Sequence, residues 1–171
     1  MNLTTHVKTM LTLAVLVAVV FVGVTWGWSA FTKPFPHTAA TKICYPTQLQ
    51  PGDRVSAPKV TVSVYNASDR VGLAESTLSA FENQGFGPGE VGNAPKKAVV
   101  HYAQIWTSDR SDPAVRLVAS RLGPNAAVVR KTLSGAPGVV VVVGPLFDKL
   151  VQGKQSTKVT RPTTICSPPS G

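Results

Sequence analysis

Apolar residues recur along the middle of the chain with two different periods, and these predict both strands and helices. Residues 60–65 read Val-Thr-Val-Ser-Val-Tyr, with valine at every second position, which predicts a half-buried strand. The segment that follows has the spacing of one helical face, at Leu73, Thr77, Leu78 and Phe81. Gly85 followed by Phe86 predicts the end of this helix, with Phe86 making the apolar contact that accompanies a glycine cap.

The same patterns predict five further elements. In chain order these are a short strand near Val91, a strand at 98–102, a helix at 113–122, and strands at 126–130 and 138–143. Asp112 followed by Pro113 is a typical helix start, and Gly123-Pro124 is a typical stop. The uninterrupted run Val139–Val143 predicts a strand that is buried on both faces and therefore central in its sheet.

The resulting order, β-α-β-β-α-β-β, predicts an α+β fold. We expect a two-layer sandwich, a mixed β-sheet with two helices on one face, preceded by one transmembrane helix. A doubly wound sheet is the alternative, but it has too few crossover helices here to cover both faces.

The amino-terminal region predicts a membrane anchor. Residues 10–31 contain no charge and are long enough to cross a hydrocarbon core of about 30 Å. Trp26 and Trp28 are placed for an interfacial aromatic belt, and Lys8 and Lys33 flank the segment. The alternatives are a cleaved secretory signal and a buried core helix. With an uncleaved anchor, residues 1–9 form a cytoplasmic tail and the domain lies outside the cell membrane.

Proline content and two cysteines define the flanks of the domain. Residues 32–58 hold five prolines and predict an extended stalk, residues 59–148 the domain, and residues 149–171 a polar tail. Cys44 and Cys166 lie outside the two ends of the periodic region and predict a disulfide across the domain, in an oxidising compartment. Two free thiols are the alternative; a metal site is not expected, because two thiolates without a nearby histidine fall short of four ligands.

Composition excludes several classes of protein. The chain has 171 residues, so that only about 140 remain beyond the anchor, enough for one core and not for a multidomain enzyme. The net charge of +9 predicts attraction to anionic partners but does not choose among them. A nucleic-acid-binding regulator is a minor alternative, because no helix-turn-helix or RNA-recognition motif is present and the domain is predicted outside the cell, so no nucleic acid partner is expected.

Several short strings together resemble a known family. They are Val62-Ser63-Val64-Tyr65-Asn66-Ala67-Ser68, Gly72-Leu73-Ala74, Gly85-Phe86, Asn93-Ala94, Leu122-Gly123 and the valine run ending at Gly144. In this order they resemble the LytR C-terminal domain, a module often appended to LytR-CpsA-Psr enzymes of bacterial cell envelopes. An anchor and a stalk stand here in place of the enzyme, as in stand-alone actinobacterial members. The resemblance implies a role in the cell envelope without phosphotransfer chemistry.

Seven residues are candidates for binding: Asn66, Ser68, Arg70, Asn93, His101, Tyr102 and Arg110. Each also has a structural interpretation, as a turn, cap, packing or solvated residue. Asp109 and Asp112 are interpreted as helix-capping and salt-bridging residues rather than as a catalytic pair. We predict no catalytic residues, no metal and no cofactor.

The leading hypothesis is a non-catalytic, membrane-anchored cell-envelope protein that supports envelope integrity. Its expected partners are cell-wall or lipid-linked glycopolymer or envelope proteins, including LytR-CpsA-Psr ligases, with membrane contact through residues 10–31. The alternative is an accessory subunit of a cell-wall glycopolymer ligase, whose partner supplies the catalysis.

Overall fold

The computed structural model describes residues 10–11, 13–22 and 43–169. The chain divides into two compact units, residues 1–40 and residues 41–171. In the first unit, residues 10–11 and 13–22 are helical, and the remainder of the predicted anchor lies outside the described residues. Within the part of the chain that is described, no helix combines the length and the apolar character needed to span a membrane.

The described residues of the second unit form nine strands, two α-helices and one 3-10 turn. The strands are β1 (Tyr45–Leu49), β2 (Arg54–Ser56), β3 (Thr61–Asn66), β4 (Gly87–Asn93), β5 (Ala103–Thr107), β6 (Ala126–Arg130), β7 (Val139–Val143), β8 (Ser156–Lys158) and β9 (Thr163–Ser167). The helices are α1 (Leu73–Asn83) and α2 (Pro113–Leu122), and the 3-10 turn is Ala57–Lys59. The order from β3 to β7 is the predicted β-α-β-β-α-β-β.

Five strands form a mixed sheet in the order β4-β3-β7-β5-β6. Strand β3 is parallel to both β4 and β7, β5 is parallel to β6, and β5 is antiparallel to β7. Strand β7 is central and all five of its valines are buried, as predicted. We call the end of the sheet at which β3, β4 and β7 finish the carboxyl end, and the end at which they begin the amino end.

Both helices end or begin with the predicted local signals. After α1, Gly85 adopts a φ of 85°, its N–H donates to the Glu82 carbonyl, and the Phe86 N–H donates to the Phe81 carbonyl. This is a Schellman motif, and the rings of Phe81 and Phe86 meet edge to face at 5.3 Å. Helix α2 has Asp112 as its N-cap and Pro113 as its first residue.

The helices cover one face of the sheet and loops cover the other. Buried residues of α1 and α2 share one core with Val62, Val64 and Val141. On the opposite face, Tyr65, Trp106, Val140 and Val142 pack with Val100, and with partly buried residues of the loops that follow β4 and β6. The two-layer α+β prediction is confirmed, and the burial of both sheet faces explains why β7 is entirely apolar.

The strand predicted at 98–102 is wrong. The N–H of Ala98 closes a turn onto the Pro95 carbonyl, and β5 begins only at Ala103. Val99 is 74% exposed, whereas Val100 is buried against the second face of the sheet. The adjacent residues Val99 and Val100 gave the sequence the apolar character of a strand, but only Val100 is buried in the core.

The flanks of the domain are folded onto it. Strand β1 pairs antiparallel with β9, and β2 pairs antiparallel with β8. Buried side chains on these strands and beside them include Leu49, Val55, Val159 and Ile165. The described part of the predicted stalk, residues 43–58, therefore belongs to the folded unit, and so does the tail up to residue 169.

The predicted disulfide is confirmed. Cys44 and Cys166 are bonded across 122 residues, with their Cα atoms 5.3 Å apart. The bridge joins the segment before β1 to β9. The described residues of this unit, 43–169, thus hold the five-stranded sheet, both helices, their core and the covalent link, which are the features of a domain that folds independently.

Candidate functional site

Six of the seven predicted binding residues meet at the carboxyl end of the sheet. Asn66 ends β3 and Asn93 ends β4, while Ser68 and Arg70 lie in the loop after β3. His101 and Tyr102 directly precede β5, which runs in the opposite direction and so begins at this end. Arg110 follows β5 and lies at the amino end.

The polar atoms of Asn66 and Ser68 are used within their own loop. Asn66 Nδ2 donates to the Arg70 carbonyl at 2.7 Å, and Asn66 Oδ1 accepts from the Ser68 N–H at 2.8 Å and from Ser68 Oγ at 2.7 Å. The predicted turn is confirmed, but its predicted helix-capping role is wrong. The N-cap of α1 is Gly72, with a φ of 75° and no side-chain cap, because the Asn66 turn ends before the helix begins.

Arg70 joins this loop to the loop after β7. Its Nη1 donates to the Pro145 carbonyl at 3.2 Å and to the Phe147 carbonyl at 2.5 Å. The ring of Tyr102 meets that of Phe147 edge to face at 5.3 Å. We call residues 67–72, 94–102 and 144–150 the carboxyl-end loops, and these contacts hold them together.

A cavity of about 350 Å³ lies at the start of α1, lined in part by Asn66, Ser68, Arg70 and Asn93. Asp69 and Glu75 also line it, so two carboxylates face any ligand there. Because Arg70 is engaged with backbone carbonyls, this cavity does not suit an anion.

The carboxyl-end loops also expose three large aliphatic side chains. Val71 is 101% exposed, Val99 74% and Leu146 69%. The Leu146 N–H donates to the His101 carbonyl at 3.0 Å, which ties the loops carrying Leu146 and Val99 to each other. Each of the three joined loops therefore presents one exposed aliphatic group at the carboxyl end of the sheet.

A second cavity, of about 270 Å³, lies at the amino end of the sheet. We call it the Asp112 cavity; it is lined by Val60, Trp106, Thr107, Ser108, Asp112, Ala114, Val115, Thr132, Leu133, Ala136, Gly138, Val139, Val140, Thr164, Ile165 and Cys166. Within the described residues, the hydroxyls of Ser108, Thr132 and Thr164 make no hydrogen bond to protein. The sequence analysis missed this site because its lining comes from separate segments, including β9.

Basic side chains accompany the Asp112 cavity. Lys131 Nζ lies 3.9 Å from the ring centroid of Trp106, and Arg161 forms an exposed ion pair with Asp109 at 3.5 Å. Arg110 follows β5 and Arg130 is the last residue of β6; both are exposed, and the ends of these two strands meet here because the strands are parallel. This parallel pairing is the signal by which sequence reasoning could have brought these basic residues together.

Two basic residues of α2 have structural roles. Arg116 donates to the Lys158 carbonyl at 3.0 Å, and Arg121 donates to the Lys154 carbonyl at 2.9 Å. Both therefore hold the carboxyl-terminal segment to α2.

The two aspartates near this cavity act locally, in the manner predicted for them. Asp112 Oδ1 accepts from the Ala114 N–H at 2.8 Å, and burial raises the pKa of Asp112 above its usual value. Hydrogen bonds from the Ser111 hydroxyl and N–H lower the pKa of Asp109, and Arg161 and Arg130 lower it further. Across the described residues, no group of acidic, histidine or cysteine side chains could hold a metal ion.

The fold defines a small α+β domain that is closed by a disulfide. The profile of the LytR_C family, described as LytR cell envelope-related transcriptional attenuator, matches residues 59–147. The chain belongs to this family, and the resemblance seen in the sequence is confirmed. LytR_C is a non-catalytic domain family related to the cell envelope.

Two further comparisons complete this result. The chain is similar to the soluble domain of a conserved hypothetical secreted protein, an Rv2700 ortholog, from Mycobacterium marinum. The two are 22% identical, with a TM-score of 0.47 over 62% of this chain and 80% of the other. No curated protein matches the chain.

Proposed function

We propose that this protein is a non-catalytic, membrane-anchored binding module of the cell envelope that supports envelope integrity. Residues 10–31 would anchor it, with the amino terminus in the cytoplasm and the domain outside the cell membrane. Its domain would hold glycopolymer or protein partners near the membrane surface, in the manner of the actinobacterial envelope integrity protein Cei.

The observation that carries this proposal is the match of the LytR_C family over residues 59–147, the whole of the five-stranded sheet and its two helices. Two properties of the chain support it. The Cys44–Cys166 disulfide is typical of proteins outside the cytoplasm. The basic residues beside the Asp112 cavity and the net charge of +9 favour anionic partners, which envelope polymers and lipids supply.

Deleting the gene tests this function. We expect the deletion strain to become more sensitive to detergents and to cell-wall antibiotics, and the full chain to restore resistance. Residues 1–40 expressed alone serve as the matched control and should not restore it. Unchanged sensitivity after deletion would contradict the proposal.

The exposed aliphatic groups favour a second function, that of an accessory subunit of an envelope ligase. Val71, Val99 and Leu146 on three joined loops offer apolar contacts that a protein partner would bury. Crosslinking in membranes should then capture a glycopolymer transferase, and replacing all three residues by serine should abolish the capture. Val91→Ser, at a valine outside these loops that is 37% exposed, is the matched control.

A further inference from the structure

Open volume, unengaged hydroxyl groups and positive charge coincide at the Asp112 cavity. The cavity of about 270 Å³ is slightly smaller than the ~300 Å³ at which pockets for drug-sized ligands begin, and so it suits a single ring. The side chains of Ser108, Thr132 and Thr164 are exposed at the cavity, and their hydroxyls make no hydrogen bond to protein among the described residues. Because each hydroxyl can both donate and accept, this lining matches a ligand that itself carries several hydroxyl groups.

The cavity is built on a rigid base. Val60, Val139, Val140 and Ile165 are buried, and Trp106 is only 3% exposed. Strand β9, which supplies Thr164 and Ile165, is held to the start of the domain by the Cys44–Cys166 disulfide. A ligand would therefore meet a fixed apolar floor and the Thr164 hydroxyl on a strand, whereas Ser108 and Thr132 lie in the exposed loops that follow β5 and β6.

The charges at the amino end of the sheet would orient a ligand in the cavity. The Asp112 carboxylate lies inside the cavity, where it disfavours a phosphate but can accept hydrogen bonds from hydroxyl groups. Four basic side chains accompany the cavity outside it, those of Arg110, Arg130, Lys131 and Arg161. Asp109 is the acidic group among them, and it is paired with Arg161.

We propose that the Asp112 cavity binds a phosphorylated polyol, with the hydroxyl-bearing ring inside the cavity and the phosphate outside it, among the basic side chains. Two envelope components share this chemistry, the headgroup of a phospholipid and the repeating unit of a phosphodiester-linked glycopolymer. The proposal rests on the envelope-binding function above and names its site and its class of ligand.

Calorimetric titration of residues 41–171 measures the affinity of the Asp112 cavity for three soluble probes: inositol 1-phosphate, inorganic phosphate and inositol. Inositol 1-phosphate should bind at least about tenfold more tightly than either part alone, because only the whole ligand uses both the hydroxyls and the basic residues. Binding should weaken as salt rises, since the phosphate contacts are exposed.

Paired substitutions assign the binding to the cavity. Thr132→Val with Thr164→Val should weaken inositol 1-phosphate binding about tenfold, and Thr163→Val, at the neighbouring position of β9 outside the cavity, should leave it unchanged. Arg130→Gln with Arg161→Gln should weaken binding by a similar factor and flatten its salt dependence. Lys96→Gln with Lys97→Gln makes the same change of charge at the carboxyl end and should have no effect. Thermal melts establish that each variant is folded.

Two further arms distinguish the sources of the ligand. Phosphatidylinositol in phosphatidylcholine vesicles presents the headgroup, and a soluble phosphodiester-linked glycopolymer presents the wall component. Binding to either one that the threonine and arginine variants lose supports the proposal and identifies the source. Absence of cavity-dependent binding to every probe overturns it, and so does equal affinity for inorganic phosphate and inositol 1-phosphate. A cavity variant that restores full resistance to the deletion strain also overturns this ligand assignment, while the envelope function stands.

Discussion

At the carboxyl end of the sheet, the side chains of Asn66, Ser68 and Arg70 are hydrogen-bonded to nearby backbone groups or to one another. At the amino end, the hydroxyls of Thr132 and Thr164 line a cavity and, among the described residues, make no hydrogen bond to protein. The residues that stood out in the sequence therefore build loops, and the residues that did not stand out are available to a ligand. Polar side chains in loops commonly form hydrogen bonds with the backbone groups closest to them, and are then not available to a ligand.

The largest expected effect on stability comes from removing the disulfide, whose Cys166 lies at the amino end of the sheet, in the lining of the Asp112 cavity. Cys44→Ser with Cys166→Ser opens a loop of 122 residues and should lower the free energy of unfolding by about 4–5 kcal/mol in the chain-entropy model. Denaturant unfolding measures the loss.

Hydrogen exchange on the same variant should show faster exchange in β1 and β9, and therefore around the Asp112 cavity, than in the carboxyl-end loops. Equal acceleration at both ends would contradict the distinction between them. The wild-type protein under oxidising conditions is the reference.

A matched pair of arginines provides the next test. Arg70→Gln removes two hydrogen bonds from a charged donor to carbonyls, and should cost about 1–3 kcal/mol of stability. Arg110→Gln, at the amino end, removes an exposed charge and should change stability by less than about 0.5 kcal/mol. Thermal unfolding of both variants measures the difference, and equal losses would show that Arg110 is also structural.

Short-range signals predicted much of this fold. The alternation in β3, the glycine cap after α1, the Asp112-Pro113 start of α2 and the buried run of β7 all appear as expected, because each is set by neighbours within a few residues. Strand β5 was misplaced because adjacent valines at 99 and 100 carry no information on which one is buried.

Long-range pairing could not be predicted in the same way. Strand β1 meets β9 more than 100 residues later, and the Asp112 cavity combines the ends of β5 and β6 with β9. The two cysteines were the only signal in the sequence that the amino-terminal and carboxyl-terminal flanks of the domain meet. Without that signal, the proline-rich and polar composition of these flanks predicted a stalk and a tail. The candidate residues were found by type and spacing, which locate loops but do not show whether a polar atom is already engaged.

Tyr65, the residue before Asn66 in β3, makes a separate side-chain hydrogen bond that should make stability sensitive to alkaline pH. Burial, followed by its hydrogen bond to Glu90 Oε2 at 3.0 Å, raises the pKa of Tyr65 to about 12 from 10.0. Above pH 10 the unfolded chain loses this proton first, so stability should fall as pH rises from 10 to 12. Tyr65→Phe should show a shallower fall in chemical unfolding over this range, and an identical slope would contradict the assignment.

The smallest expected effect on stability is that of Asp112. It lies at the amino end of the sheet, and its effect falls at acidic pH, whereas that of Tyr65 falls at alkaline pH. Because burial raises its pKa, the folded protein retains the proton longer than the unfolded chain, so the contribution of Asp112 to stability is greatest at acidic pH and declines as pH rises through its folded value. Asp112→Asn keeps an oxygen that accepts from the Ala114 N–H while removing the charge. We expect this variant to lose that decline and to be at least as stable as the wild type at pH 7, as measured by denaturant unfolding from pH 3 to 7. Marked destabilisation at pH 7 would instead show that the charged carboxylate is itself a structural partner, and the amino end would then resemble the carboxyl end in using its polar groups internally.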